Sequence, residues 1–253
     1  MHIIKIMNST FALTLGLSLS SLSMAMETHD HQNEHGGQLY TEASFDQSWR
    51  FTKNGNAEFH SDNQISIGSD ENKFVLKLET EKPESERTEY DLKLLYSRLN
   101  SDFWDLQVGL GYQTYQIHID DVQTSQDYVT AIFGVEGLAA YFFETSAYLS
   151  IGKNEYAALN IEAERDFLIT QKLIVQPYLE LDVILNDNSK YAEKSGVHEG
   201  IVGLETRYEV SKQFMPYINI AYRYEQETEW ENSEQKSHSE KNWIYGFGLR
   251  FEF

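Results

Sequence analysis

The sequence predicts an all-β protein: a transmembrane antiparallel up-and-down β-barrel of about twelve strands with a short N-terminal tail in the periplasm. Three observations lead to this prediction. Apolar and polar residues alternate over long segments, short and long connections follow one another, and the C-terminal strand ends in phenylalanine. The mean hydropathy of −0.50 argues against a bundle of membrane-spanning helices.

Residues 1–25 have the features of a secretory signal peptide. Lys5 supplies a positive charge, an uncharged apolar and serine-rich run follows, and Ser23-Met24-Ala25 has the small-x-small pattern of a cleavage site. The apolar run is shorter than the roughly 20 residues that a membrane-spanning helix needs. We therefore expect three regions: a signal peptide over 1–25, a polar tail over 26–37 and a barrel over 38–253.

The composition narrows the possible partners. The formal charge of −20 becomes −21 without residues 1–25, because Lys5 is lost and no acid is lost with it. Such an acidic chain is a poor partner for nucleic acid, whose phosphates need a basic surface. The sequence contains no cysteine, so an exported protein of this kind must be stabilised by packing and backbone pairing instead of disulfides.

Alternation with period two assigns each predicted strand an apolar and a polar face. The clearest segments are 104–113, 157–166, 173–185 and 215–225. In the second and third of these, aliphatic side chains fill one face, and the acids on the other face include Glu162, Glu164, Glu180 and Asp182. Such lengths match the roughly nine to eleven residues that cross a bilayer and exceed the five to six or so of an average soluble strand. A soluble β-sandwich would have shorter strands and more frequent turns.

The connections between strands alternate in length. Tight links are predicted at 69–72, 100–103, 136–140, 167–172 and 210–213. Longer polar links are predicted at 80–88, 117–126, 186–197 and 225–241, with short ones near Asn54 and Lys153. Outer-membrane barrels have short periplasmic turns and longer outer loops, and an even strand number puts both chain ends in the periplasm. Pro177 and Pro216 lie near predicted periplasmic turns, where we expect β-bulges to accommodate them.

The last strand is predicted over 243–253. One of its faces consists of Trp243, Tyr245, Phe247, Leu249, Phe251 and Phe253. A final strand that ends in phenylalanine resembles the insertion signal of bacterial outer-membrane proteins. The alternative is an ordinary amphipathic strand that happens to end the chain.

The predicted tail concentrates three histidines, His29, His31 and His35, beside acidic residues. Imidazoles flanked by carboxylates suit copper(II), zinc or nickel, and copper(II) has the highest intrinsic affinity of the three. We therefore predict a metal site in the tail. The alternative is a solvated polar segment in which the histidines are coincidental.

The polar faces of the strands form a second candidate site. If the apolar faces contact lipid, the lumen receives the acids Glu42, Asp46, Asp91, Asp105, Glu144, Glu162, Glu164, Glu180, Asp182, Glu205 and Glu209. Four cations offset them in part: Lys77, Lys93, Arg207 and Arg223. An acidic lumen attracts cations, and the lumenal metal ligands we predict are Glu162, Glu164, Glu180 and Asp182. The alternative is a network of salt bridges that fills a narrow barrel.

The sequence lacks the motifs of common hydrolases. It contains no Gly-x-Ser-x-Gly elbow, no His-Glu-x-x-His and no phosphate-binding glycine loop. His118 and His198 fall at predicted outer ends of strands, where a lone histidine is usually polar surface. We predict that the protein is not an enzyme.

A series of ordered pieces stands out along the chain: 35–38, 95–98, 103–107, 133–138, 140–144, 163–166, 168–171, 173–177, 180–181, 207–209 and 214–217. Together they resemble the copper resistance protein B family of outer-membrane proteins. The resemblance implies copper as the bound or transported ion, a role in copper resistance at the outer membrane, and a periplasmic multicopper oxidase as partner. Family members often carry a long N-terminal region rich in methionine and histidine, whereas this tail has about ten residues and the mature chain keeps only Met26 and Met215.

Three functional hypotheses follow. The leading one is an outer-membrane protein, surrounded by lipid, that captures copper on the periplasmic side and sequesters it or passes it across the membrane. The second is a small cation-selective pore without metal specificity. The third, more remote, is an outer-membrane hydrolase.

Overall fold

The computed structural model describes residues 39–52, 55–84, 88–119, 122–189, 194–231 and 234–253. The predicted signal peptide and the predicted tail, with His29, His31 and His35, lie outside these residues and remain predictions. The described chain consists of β-strands and their connections, with a 3₁₀ turn at Ala140–Phe142. No helix in these ranges is long and apolar enough to cross a membrane.

The strands form one closed sheet. Their bounds are β1 Tyr40–Thr52, β2 Ala57–Gly68, β3 Asn72–Pro83, β4 Glu89–Ser101, β5 Trp104–Ile119, β6 Val122–Leu138, β7 Glu144–Gly152, β8 Ala157–Glu164, β9 Phe167–Leu168, β10 Leu173–Asn186, β11 Gly196–Tyr208, β12 Met215–Glu231 and β13 Glu234–Glu252. β9 has two residues, so twelve long strands remain. Neighbouring strands pair in antiparallel fashion, and β1 also pairs with β13, where Trp49 lies opposite Phe247. The predicted antiparallel barrel of about twelve strands is confirmed.

The two ends of the barrel differ in which connections they carry. We call the end where β1 begins and β13 ends the near end, and its connections are 69–71, 102–103, 139–143, 169–172 and 209–214. The other end, the far end, is where β1, β3, β5, β7, β10 and β12 end and where the long strand after each of them begins. The predicted tight links therefore all lie at the near end, which agrees with the up-and-down topology expected from their spacing.

Two predicted long loops are wrong. Most of 117–126 and 225–241 belongs to strands, because β5 and β6 pair out to Ile119 and Val122, and β12 and β13 pair out to Glu231 and Glu234. These extensions are polar at most positions, so no long run of alternation marks them as strands. Backbone pairing continues there without the sequence signal that marks the rest of the barrel.

Pro177 and Pro216, at which bulges were expected, are accommodated without them. β8 and β9 share one register against β10, with Glu164 opposite Tyr178 and Phe167 opposite Val175. The ladder is interrupted at residues 165–166, opposite Pro177, because proline has no N–H to donate. Pro216 lies one residue beyond the last recorded pair of the β11–β12 ladder and keeps its register with β13. The predicted bulges at these positions are therefore wrong.

The faces of the barrel are the reverse of those of a soluble protein. Large apolar side chains point outward and are exposed, among them Leu110, Val129 and Ile218 at 61%, 62% and 65%. Polar side chains are buried inside, including Ser97, Gln107 and Arg207. An apolar outer band around a polar interior is the pattern of a barrel in a lipid bilayer. This arrangement excludes the soluble β-sandwich.

The C-terminal strand closes the barrel. Phe253 exchanges two backbone hydrogen bonds with Ala43 of β1, at 3.0 and 2.9 Å. Trp243, Tyr245 and Phe247 are exposed on the outer face, as their alternation predicts. The ring centroids of Phe247 and Trp49 lie 5.5 Å apart, which joins the first and last strands on the lipid-facing side.

Glycines on neighbouring strands make room for lumenal tyrosine rings. A Cβ atom at Gly134 would lie 2.3 Å from the ring of Tyr148, and one at Gly203 would lie 2.3 Å from the ring of Tyr178. The rings therefore lie against the wall of the lumen instead of crossing it. Their hydroxyls bind polar groups, since Tyr148 donates to Glu136 and Tyr178 to Asn219.

Candidate functional site

The barrel encloses a polar cavity of about 780 Å³. Its described lining contains fifteen carboxylates and five lysines or arginines. Glu162, Glu164, Glu180 and Asp182 all belong to this lining, so they reach the lumen as predicted. Their role as metal ligands remains a prediction.

One side of the lumen, on β3 to β7, is a network of paired charges. Lys77 Nζ lies 3.0 Å from Glu136 Oε2, which also accepts a hydrogen bond of 2.8 Å from the Tyr148 hydroxyl. Lys93 Nζ lies 3.0 Å from Asp91 Oδ2, and both lysines lie over the ring of Tyr148. We call this group the paired wall. Here the alternative of a salt-bridged lumen is confirmed.

A second set of ion pairs lies towards the near end. Arg250 binds Asp46 at 2.8 Å and Glu205 at 3.3 Å, which links β13 to β1 and β11. Arg207 pairs with Asp166 and Glu205. These contacts pair two arginines with three acids of the lumen and join strands that are far apart in sequence.

The neighbouring part of the lumen wall, on β7, β8 and β10, is a row of carboxylates without an ion-pair partner among the described residues. We call this group the carboxylate wall, and it consists of Glu144, Glu162, Glu164, Glu180 and Asp182. Among the described residues, no cationic side chain makes an ion pair within 4.0 Å with any of these carboxylates. Glu162 accepts a hydrogen bond from Ser146 at 3.3 Å, and Asp182 accepts one from Asn160 at 2.8 Å.

The register of the strands sets like charges side by side in this wall. Glu162 of β8 lies directly opposite Glu180 of β10, and Glu144 of β7 lies opposite Glu164 of β8. Like charges directly opposite each other destabilise a sheet. A cation in the lumen would relieve this repulsion, so the carboxylate wall has the electrostatics of a cation-binding surface.

A histidine faces the lumen between β1 and β3. His60 Nε2 lies 2.8 Å from Glu79 Oε1 and 3.8 Å from Glu81 Oε1. Its other ring nitrogen, Nδ1, lies 3.0 Å from Arg50 Nη2. We call His60, Glu79 and Glu81 the His60 cluster. Each of the three residues has a ligand atom within 4.8 Å of a ligand atom of the other two. The distances within the cluster are short enough for one metal ion to bind all three.

The His60 cluster was not predicted from the sequence, although part of its signal was present. Glu79 and Glu81 alternate with Leu78 and Thr80 in β3, and that pattern could have placed them in the lumen. His60 is harder to find, because polar residues interrupt the apolar outer face of β2. On the outer face of β1 and β2, Gln47, Ser61 and Asn63 hydrogen-bond to one another, for example Gln47 to Ser61 at 2.7 Å. This group hides the apolar face from which β2 could have been recognised.

A smaller cavity of about 120 Å³ adjoins the His60 cluster. The residues that line both cavities form their junction: Glu79, Glu81, Asn160, Asp182 and Glu199. Arg223 lies beside this junction, 2.9 Å from Glu199 and 3.0 Å from Glu58. The junction is therefore acidic, with a cation at its edge.

The two histidines considered for a hydrolase lie on different strands. His198 lines the smaller cavity and is the extra residue where the β10–β11 register shifts. His118 belongs to the part of β5 that pairs in parallel with β12, opposite Glu229.

The closed barrel, with its apolar outer face and charged lumen, defines the class: an outer-membrane β-barrel protein. Two solved porins support this fold. The KdgM porin has a TM-score of 0.51 at 12% identity, with 83% of this chain and 99% of that chain covered. The NanC porin has a TM-score of 0.50 at 11% identity, with 83% and 98% covered. At these identities the likeness concerns the fold alone.

The chain belongs to the copper resistance protein B family, because the family described as copper resistance protein B precursor (CopB) matches residues 39–253. Copper resistance protein B of Escherichia coli is 30% identical over 156 residues, covering 62% of this chain and 50% of that protein. The homolog from Pseudomonas syringae pv. tomato (strain ATCC BAA-871 / DC3000) is 26% identical over 187 residues, covering 73% and 61%. The chain thus spans about half to three fifths of the relatives it matches. The resemblance stated from the sequence is confirmed, and the family indicates a role in copper resistance.

Proposed function

We propose that this protein binds copper at the periplasmic side of the outer membrane and holds it or passes it across through the lumen. Family membership supports copper as the ion. The observation that carries the proposal is the carboxylate wall, whose acids have no ion-pair partner among the described residues. In this proposal the near end is the periplasmic end, because outer-membrane barrels have their chain ends and short turns there.

Copper would act here as cargo and the protein as a binding protein instead of an enzyme. The tail histidines His29, His31 and His35 would capture copper(II) before it reaches the lumen, since imidazole is a good ligand for this ion. The acids of the wall, Glu162, Glu164, Glu180 and Asp182, would then attract it inward, because a low-dielectric wall strengthens their field. A periplasmic multicopper oxidase, the partner that the resemblance implies, would work on the same side.

A titration of the refolded mature chain with copper(II) tests the role of the carboxylate wall. The double substitution Glu162→Gln and Glu180→Gln should weaken binding by about tenfold, in the range seen when groups that support a metal site are lost. The matched control, Glu71→Gln with Glu240→Gln, removes the same charge from two exposed positions. Equal affinity in the two double variants would contradict a role for the wall.

The tail is tested separately. The mature chain with His29→Ala, His31→Ala and His35→Ala should bind fewer copper(II) ions than the unchanged chain. Unchanged stoichiometry and affinity would end the proposed role of the tail and leave that of the wall intact.

Copper tolerance of a strain that lacks the gene tests the function in the cell. Sensitivity with raised periplasmic copper supports passage outward, whereas lowered cell-associated copper supports sequestration by this protein. Tolerance and copper content equal to those of the parent strain would contradict both forms of the proposal.

The excess of acids over cations in the lumen favours a second candidate, a small cation-selective pore without metal specificity. A barrel of this size encloses far less space than the porins of about 16 to 18 strands. Single-channel recording in potassium chloride distinguishes the two candidates, because the absence of conductance would rule out the pore.

A further inference from the structure

We propose that His60, Glu79 and Glu81 bind copper(II) inside the barrel. Before the ion binds, the positive charge of Arg50 takes the place of the ion's charge beside these residues. This inference deepens the proposed function and rests on it, because it names the residues that hold the cargo and the side chain that regulates them. The predicted tail and the carboxylate wall include none of these four residues.

The donor set suits a divalent transition metal. One imidazole nitrogen and two carboxylates favour copper or zinc over calcium or magnesium, which prefer oxygen ligands alone. Two carboxylates and a neutral imidazole also balance the charge of a divalent ion, which limits the cost of placing it in a buried site. His60 is 7% exposed, so the three side chains hold a ligand position that is largely shielded from bulk solvent.

The hydrogen bonds of His60 show which form of its ring is present without metal. Arginine can only donate, so Arg50 Nη2 donates to His60 Nδ1 over 3.0 Å. Nδ1 is then the acceptor of a neutral ring, and Nε2 carries the proton that is donated to Glu79 Oε1 over 2.8 Å. The nitrogen that faces the two glutamates is therefore occupied by a proton.

Metal binding at Nε2 requires Arg50 to leave. When Nε2 binds a metal, the proton of the neutral ring lies on Nδ1, where it would face the Nη2 donor of Arg50. Glu180 of the carboxylate wall offers a new partner, because it lines the same cavity as Arg50 and has no ion pair of its own among the described residues. Binding of the ion would thus move the Arg50 side chain from His60 to Glu180 in the carboxylate wall.

The position of the cluster supports a ligand that moves between the two cavities. Glu79 and Glu81 line both cavities. In the lining of the smaller cavity, three buried acceptor oxygens have no hydrogen-bond partner among the described groups: Asp91 Oδ1, Gln113 Oε1 and Asn160 Oδ1. Gln113 is 9% exposed, and buried oxygens of this kind ordinarily have a partner. They are available to the water shell of an ion beside the cluster.

The test uses the full mature chain with His29, His31 and His35 replaced by alanine, refolded and loaded with copper(II). Electron paramagnetic resonance and pulsed methods should detect one coordinated imidazole. His60→Gln should abolish that nitrogen signal and weaken copper(II) binding at least tenfold, whereas His198→Gln, the matched control in the smaller cavity, should change neither.

Arg50→Gln gives the result that a merely structural role of Arg50 would not give. The substitution removes the competing charge and supplies an oxygen that can accept from Nδ1–H, so copper(II) affinity should rise by about tenfold, in the range of outer-shell effects on metal sites. Arg250→Gln removes the same charge nearer the other end of the lumen and should leave the affinity unchanged. Circular dichroism checks that each variant is folded, and Glu81→Gln, with an expected loss of affinity, tests the site without changing Arg50 or His60.

The outcomes separate this inference from the proposed function. A nitrogen signal that persists in His60→Gln, or an Arg50→Gln variant that binds copper(II) more weakly, overturns the site while copper binding by the protein stands. Loss of all copper(II) binding in the chain without tail histidines also overturns it and leaves the tail as the binding region. Absence of binding by the unchanged chain overturns the proposed function itself.

Discussion

Two neighbouring parts of the lumen wall both contain carboxylates and differ in whether cations pair with them. In the paired wall, each lysine lies about one hydrogen-bond length from a carboxylate, as Lys77 does from Glu136 at 3.0 Å. In the carboxylate wall, Glu162 lies opposite Glu180 and neither has an ion pair among the described side chains. The first arrangement stabilises a narrow barrel, and the second keeps negative charge available for a cation. One lumen therefore combines the salt-bridged network and the acidic surface that the sequence left as alternatives.

The largest expected effect comes from breaking the paired wall. Lys93→Met leaves Asp91 without its cation in a buried position, so the free energy of unfolding should fall by about 3–5 kcal/mol. Lys241→Met, the same change at an exposed position, should alter it by less than about 0.5 kcal/mol. Urea unfolding of the refolded barrel, followed by tryptophan fluorescence, measures both. Equal stability of the two variants would show that the network does not stabilise the barrel.

An intermediate effect on stability is expected at Gly134, which makes room for the Tyr148 ring of the paired wall. Gly134→Ala places a Cβ atom 2.3 Å from the ring of Tyr148, so the ring must move away from Glu136. Overpacking of this kind costs about 1–3 kcal/mol. At Gly200 the nearest atom to an added Cβ is 3.7 Å away, so Gly200→Ala is the control and should unfold like the unchanged chain. A Gly134→Ala barrel as stable as this control would argue that the ring position is unimportant.

The smallest effect has the opposite sign. Glu162→Gln removes one charge of the Glu162–Glu180 pair, so stability should rise by about 0.2–1 kcal/mol, the usual range for cross-strand pairs. Glu136→Gln in the paired wall should lower stability, because Lys77 loses its partner. The same urea measurement compares them at low salt, where charge effects are least screened. If both substitutions change stability in the same direction, the distinction between the walls fails.

The sequence predicted the fold well where one face of a strand is apolar. In β10 the alternation of leucine and valine with Glu180 and Asp182 correctly assigned both acids to the lumen. It failed where polar residues interrupt or replace the apolar face, as in β2, where Asn63 donates a hydrogen bond to Ser61 on the outer face. For that reason His60 was missed. The same cause explains the extensions of β12 and β13, which lie in a predicted loop.

The sequence by itself determined whether most side chains lie on the inner or the outer face of the barrel, because successive residues of a strand point to opposite faces. Only the tertiary structure decided which charges meet. Arg250 of β13 reaches Asp46 of β1 because the barrel closes, and Glu162 lies opposite Glu180 because of the register between β8 and β10. Closure and register depend on pairing between strands distant in sequence. The period of a single strand contains no information about either of them.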